Sequence, residues 1–193
     1  SFVLFNNILL VISTAVVFGG TMAPLFADMA GLGTLSVGPP YFNLMFLLPI
    51  LPLLALVSLG TFARWKRGNL GESRKRILST LVLATVLGLA VTLGFYGDRS
   101  LLGPLGVILG LWIIASALVD PIDRLRRGLS LSAAVLGMTL AHIGLGILTT
   151  GITVMESDKI ERDVALAPGE QVQLGDYTFK FQGTENVDGP NYE

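Results

Sequence analysis

The residue best placed to do chemistry is the chain's single histidine, His142, which lies inside the apolar run from Leu129 to Ile152. At ~1.5 Å of rise per residue that run covers the ~30 Å hydrocarbon core of a bilayer, which sets the imidazole close to mid-depth. Ionisable groups at that depth are costly; they face a bundle interior, where they relay protons, bind ligands or hold metals. A neutral histidine bonded to a neighbouring helix is the alternative, and position alone does not separate the two. On a helix, Met138, Thr139, Leu145 and Gly146 stand beside the ring. Gly146 leaves a gap one turn on. Gly137, Ala141 and Gly144 form a second small strip at the same spacing, and such strips serve close helix packing first.

A glycine beside a mid-membrane imidazole also makes room for a flat macrocycle, and haem iron commonly takes a histidine as axial ligand. With one histidine in the chain, a bis-histidine pair needs its second ligand from elsewhere. No residue earns a catalytic role. The acids of the tail are scattered as on a solvated face, short of a paired acid and base or a calcium loop. The glycines between Gly31 and Gly38 neither follow a strand nor end in a lysine, so they cradle no phosphate. The absence of cysteine removes disulfides, thiolate metal sites and thiol nucleophiles. Trp65 and Trp112 are explained by interface anchoring or packing.

The elements that position His142 are membrane spans. With 52% hydrophobic and 14% charged residues and a mean hydropathy of +0.70, the chain is too apolar for an ordinary soluble domain. The pattern predicts an all-α polytopic bundle over residues 1–152. Its five transmembrane helices fall at about 2–27, 41–63, 77–96, 101–119 and 129–152. The run at Phe2 lacks a basic leader and a cleavage site and is long enough to span, so it is no signal peptide. Asp28 to Pro40 is a turn-rich loop closed by Pro39-Pro40. Pro49 and Pro52 predict a kinked second helix held by its neighbours. Pro104 fits the first turn of the fourth helix, which is expected to end before Pro121.

Charge fixes the expected orientation. Nine of the thirteen lysines and arginines lie in two loops: Arg64, Lys66, Arg67, Arg74, Lys75 and Arg76, then Arg124, Arg126 and Arg127. Five spans put both loops on one side, the cytoplasmic one by the positive-inside rule. A nucleic-acid patch is the other reading of such runs, but their place between spans favours topology, and no nucleic-acid partner is expected. The Asp98 turn and the tail then lie on the external side. That tail, residues 153–193, carries nine acids and three bases. Its apolar residues alternate at Val164 and Leu166, at Val172 and Leu174, and at Tyr177, Phe179 and Phe181, with turns at Ala167-Pro168-Gly169 and Gly175-Asp176. This predicts a short external β-rich domain, truncated after the turn at Asp188-Gly189-Pro190-Asn191.

Several stretches carry more specific information. Asn6-Asn7-Ile8-Leu9-Leu10-Val11 opens the first span, and Gly20-Thr21 with Pro24-Leu25 closes it. Ser36-Val37-Gly38-Pro39-Pro40-Tyr41-Phe42-Asn43 enters the second, and Ala141-His142-Ile143-Gly144 lies in the last. Glu161-Arg162-Asp163-Val164, Pro168-Gly169 and Gly189-Pro190-Asn191-Tyr192 follow in the tail. Together, and nearly end to end, these stretches resemble CcmF, the large membrane subunit of the bacterial haem lyase that attaches haem to apocytochrome c.

The resemblance implies a b-type haem inside the bundle between two transmembrane histidines, with Ala141-His142 similar to the C-terminal one of the pair. His142 is then both the cofactor-binding residue and the axial ligand to iron. The other ligand, a tryptophan-rich external segment and two external histidines have no counterpart here, so the chain is expected to be a C-terminal fragment, inactive alone. The assembled parent would be a cytochrome c haem lyase forming thioether bonds, its haem b reducing haem delivered by the chaperone CcmE while CcmH-type subunits present the apocytochrome. The Ser36 to Asn43 loop would shape the external surface near the delivered haem. The implied location is the bacterial inner membrane, with the N-terminal end cytoplasmic and the tail periplasmic. The alternative from the residues themselves is a transporter or channel subunit with His142 as proton relay, or a plain anchor for the external sheet.

Overall fold

A computed structural model of the chain describes residues 2–62, 70–95 and 102–185. The basic stretch Arg64 to Arg67 with Trp65, the Asp98-Arg99 turn and the closing Asp188 to Tyr192 segment lie outside the described residues. Five helices come first: α1 (Phe2–Met29), α2 (Pro39–Gly60), α3 (Leu70–Phe95), α4 (Leu102–Arg126) and α5 (Ala133–Asp158). Two strands follow, β1 (Gln171–Leu174) and β2 (Tyr177–Lys180). All five helices are long and apolar enough to cross a membrane. The expected architecture, a five-helix membrane bundle with a short strand-rich tail, is the one observed.

The helix ends differ from the hydropathy reading in a consistent way. α3 starts near residue 70 and takes Arg74, Lys75 and Arg76 into its first turns. These are good helix formers whose long stems reach outward from an apolar helix. α4 does not end before Pro121 but runs through it to Arg126. Proline removes one backbone bond; side-chain pairs hold the turn around it, with Arg124 on Asp120 at 2.8 Å and Arg76 of α3 on Asp123. Gly128, in the left-handed region at φ 68°, then stops α4 as Leu129 donates its N–H back to the Arg124 carbonyl at 2.9 Å. α5 begins only after Ser132, whose hydroxyl accepts the Val135 N–H at 3.4 Å as an N-cap. It continues past Ile152 because Thr149, Thr150, Thr153 and Ser157 all return their hydroxyl hydrogens to carbonyls four residues back. A polar side chain satisfied by its own helix does not interrupt it.

α4 is the centre of the bundle. It packs against α2 and α3, and α1 packs against α2. The core holds Ala84 of α3 with Leu109 and Trp112 of α4, flanked by Leu51 and Ala55 of α2 and Leu81 of α3. Ile113 and Val107 of α4 are fully buried. Trp112 donates its indole N–H to Thr80 Oγ1 at 3.2 Å, and Thr80 passes its own hydrogen to the carbonyls of Arg76 and Ile77. Every polar atom of that pair is therefore satisfied in a place without water. At the other pairing, the Tyr41 hydroxyl donates to the Val16 carbonyl at 3.1 Å, its ring lying in the space left by Gly20. The remaining faces carry exposed apolar side chains such as Phe18, Val82, Leu93 and Leu140. Such faces are what a helix presents to lipid.

The tail from Asp158 onward forms a compact unit of its own. β1 and β2 pair antiparallel, Val172 facing Phe179 and Leu174 facing Tyr177, around a turn whose Gly175 has φ 59°. A second turn at Ala167-Pro168-Gly169-Glu170 closes with Glu170 N–H on the Ala167 carbonyl at 2.9 Å. The expected alternation at Val164 and Leu166 forms no strand, and the segment has no ladder partner among the described residues.

Replacing Trp112 with Phe removes its hydrogen bond to Thr80 of α3 and leaves a small void. We expect a loss of about 1–2 kcal/mol of stability, measured by denaturant unfolding in detergent micelles. Thr80→Val in the Trp112→Phe background should cost little more.

Candidate functional site

His142 sits on α5, and its orientation is decided one turn further along, where α5 meets α4. Gly103, Gly106 and Gly110 of α4 are buried, and each would meet α5 if it carried a Cβ: Gly103 the Ser157 hydroxyl at 2.8 Å, Gly106 the Thr153 side chain, Gly110 the Gly146 carbonyl at 2.8 Å and the Thr150 side chain. In return, a Cβ on Gly146 would lie 2.6 Å from the Gly110 carbonyl and overlap Ile114. The two backbones thus run antiparallel along a seam of glycine on α4 against glycine, threonine and serine on α5. Close backbone approach of this kind is how helices associate in lipid, where apolar burial alone gives little preference for a neighbour.

The seam corrects one expectation about the ring's surroundings. Gly146 leaves no gap beside His142, because Ile114 of α4 fills the space. The reason is the general one: a small residue invites the nearest helix before anything else. At ~100° per residue, His142 lies on the flank of the face that Gly146, Thr150, Thr153 and Ser157 turn to α4. The second strip, Gly137, Ala141 and Gly144, falls on the opposite side of α5. Around Gly137 and Gly144 there is open space.

The ring itself is half-buried. Its Nδ1 lies 2.8 Å from the carbonyl oxygen of Met138, one turn back. A carbonyl can only accept, so Nδ1 must carry the hydrogen and donate it. In a neutral ring this leaves the Nε2 lone pair free, and Nε2 has no hydrogen-bond partner among the described residues. A metal-binding imidazole needs that arrangement, one nitrogen tied down as a donor and the other presenting its lone pair. Near it, Thr139 is buried at 7% exposure, and its Oγ1 has no partner among the described residues. At ~100° per residue Thr139 shares the face of Gly146 that turns to α4, so its hydroxyl belongs to the helix packing and not to the flank of the ring. The residues fit a group bound on the flank of α5. They form no cluster of three or more metal-ligating side chains among the described residues.

Of the neighbours expected beside His142, Met138 acts through its backbone, while Thr139 and Gly146 belong to the face that turns to α4. The seam went unread in the sequence, although its signal was present: glycines at 103, 106 and 110 match the spacing of 146, 150, 153 and 157. Ser36 to Asn43 is brought to α1 through Tyr41, away from His142 in sequence and with no described contact to it.

Comparison with known proteins now adds what geometry leaves open. A family model described as the CcmF C-terminal beta-sandwich matches residues 157–193. Over 192 residues the chain is 33% identical to the cytochrome c-type biogenesis protein CcmF of Escherichia coli K12, covering all of this chain and 30% of that protein. The chain belongs to the CcmF family. It is 34% identical over 197 residues to CcmF of Pseudomonas fluorescens, with 97% of this chain and 29% of the relative covered. It is also 36% identical over 198 residues to the cytochrome c-type biogenesis protein CycK of Rhizobium meliloti, with the same shares covered. The chain therefore spans about 30% of the length of these curated relatives. No solved structure matches it. Five membrane-length helices and bacterial relatives make it a membrane protein of the CcmF type, corresponding to the C-terminal part of the family.

The seam predicts a contrast between two glycines of one helix. Gly146→Val should force α5 away from α4 and cost about 1–3 kcal/mol. Gly144→Val, facing open space, should leave the unfolding midpoint of the isolated chain within experimental error in the same detergent titration.

Proposed function

We propose that this chain is the part of a CcmF protein that gives one axial imidazole, His142 Nε2, to a haem b held within the membrane. The second ligand comes from the part of the protein that lies outside this chain. The observation that carries the reading is the Nδ1–H bond to the Met138 carbonyl, which fixes the ring and leaves Nε2 unpartnered on the flank of α5. The family membership supports it, since the relatives are named for cytochrome c-type biogenesis.

In this reading each part of the chain has a task. Met138 holds the tautomer by accepting the Nδ1 hydrogen. The glycine seam sets the rotation of α5, and with it the direction of the ring. The apolar side chains of α5 keep water from the ligating nitrogen and so help to set the redox potential. The bound haem would supply one-electron chemistry that keeps haem delivered by CcmE ferrous while it is joined to the thiols of an apocytochrome c presented by CcmH-type subunits. The basic ends of α3 and α4, tied by Arg76 and Asp123, would face the cytoplasm, and the strand-bearing tail the periplasm, in the bacterial inner membrane.

The test uses the full-length protein that contains this segment, purified in detergent. His142→Ala should lose most of the reduced b-type absorbance while keeping its helical circular dichroism. Imidazole added to His142→Gly should restore part of the band. A reduced spectrum unchanged in His142→Ala would remove the ligand assignment.

A further inference from the structure

We propose that α3 carries a binding site for one anionic phospholipid, with the headgroup phosphate on Arg74 and Lys75 and an acyl chain laid along Leu78, Val82 and Val86. A shallow, open groove runs along these residues with Ser79 and Leu83, all on one face of α3. Their positions recur every four residues, which makes a nearly straight stripe up one side of the helix. From Arg74 to Val86 that stripe rises ~18 Å, slightly more than the ~15 Å of hydrocarbon in one leaflet. A lipid whose headgroup sits at the basic end would thus have its chain end near the bilayer midplane.

The chemistry is sorted along the groove as an amphiphile requires. Both cations stand at one end, and beyond Ser79 the lining is aliphatic. Arg76, next in sequence, is already engaged with Asp123 of α4. Arg74 and Lys75 are exposed and make no ion pair with an acid among the described residues. Two cations without an acid partner among the described residues, at headgroup depth, favour an anionic lipid over a zwitterionic one, and an apolar protein helix lying in the same groove would leave them unused. Val82, halfway along, is 60% exposed, so the side that would meet the acyl chain is left open by the other described helices. The proposal is independent of the haem reading: α3 makes no described contact with His142.

The experiment is native mass spectrometry of the full-length protein containing this segment, released from mild detergent. Phosphatidylglycerol is added in one series and phosphatidylcholine with the same acyl chains in the other. Phosphatidylglycerol should bind roughly twenty-five-fold more tightly, from about fivefold for each of the two cations. Arg74→Gln with Lys75→Gln should abolish the preference. Val82→Trp, which keeps both cations but fills the groove, should weaken phosphatidylglycerol binding, and glycerol phosphate lacking chains should not displace the lipid. Equal binding of the two lipids, as when a protein helix occupies the groove, would overturn the proposal. So would a preference that survives loss of both cations, binding indifferent to Val82→Trp, or displacement by glycerol phosphate. All three substituted side chains are exposed, and unchanged helical circular dichroism confirms that each variant folds.

Discussion

The close approach of α4 and α5 is the constraint on which the rest of the bundle's meaning depends. Lipid tails are as apolar as leucine, so a helix gains little by choosing a leucine neighbour over the bilayer. What selects one rotation of α5 out of many is contact between backbones. Gly106 and Gly110 on one side, and Gly146 with Thr150 and Thr153 on the other, allow that contact only in one register. Because the hydroxyls of Thr150 and Thr153 are satisfied by their own helix, the seam brings polar atoms inward without leaving them unpaired.

From that register the rest follows in order. α4 is fixed by α2 and α3 through a core centred on Trp112, and its end is tied to the start of α3 by Arg76 and Asp123. α5 is fixed by α4, and His142 is carried to the flank of the seam, neither pressed into α4 nor turned to the far side. The Met138 carbonyl then selects which nitrogen is free. On the far side, Gly137, Ala141 and Gly144 leave room for something to lie against α5. In the proposed reading His142 is one of two ligands, and the chain spans about 30% of its relatives' length.

What could be read from the sequence was what depends on periodicity and composition. The five spans, the hairpin at Gly175-Asp176 and the oddity of a single intramembrane histidine are each written in one local stretch. The boundaries were less legible, because hydropathy stops at Ile152 whereas the helix continues on threonines and serines that bond to their own carbonyls. Pro121 misled for a related reason: the packing of α4 and its two ion pairs outweigh one lost backbone bond. In the sequence Gly146 reads as a space beside the ring, since a sequence names a small residue without naming who approaches it. Only the match between two glycine-bearing stripes far apart in the chain could have shown that Ile114 takes the space. The orphaned hydroxyl of Thr139 had no sequence signal at all, because an unpaired atom is a property of the packing.

The central claim is that His142 is held with its hydrogen on Nδ1 and its Nε2 lone pair free, and the chain is well made for testing it, having a single histidine. Histidine-selective ¹⁵N labelling in lipid nanodiscs gives one imidazole signal pair, recorded well above the ordinary histidine range of pH so that the ring is neutral. The account predicts a protonated, hydrogen-bonded Nδ1 and an unprotonated Nε2. A ring with its hydrogen on Nε2, or one exchanging freely between the two tautomers, would contradict it.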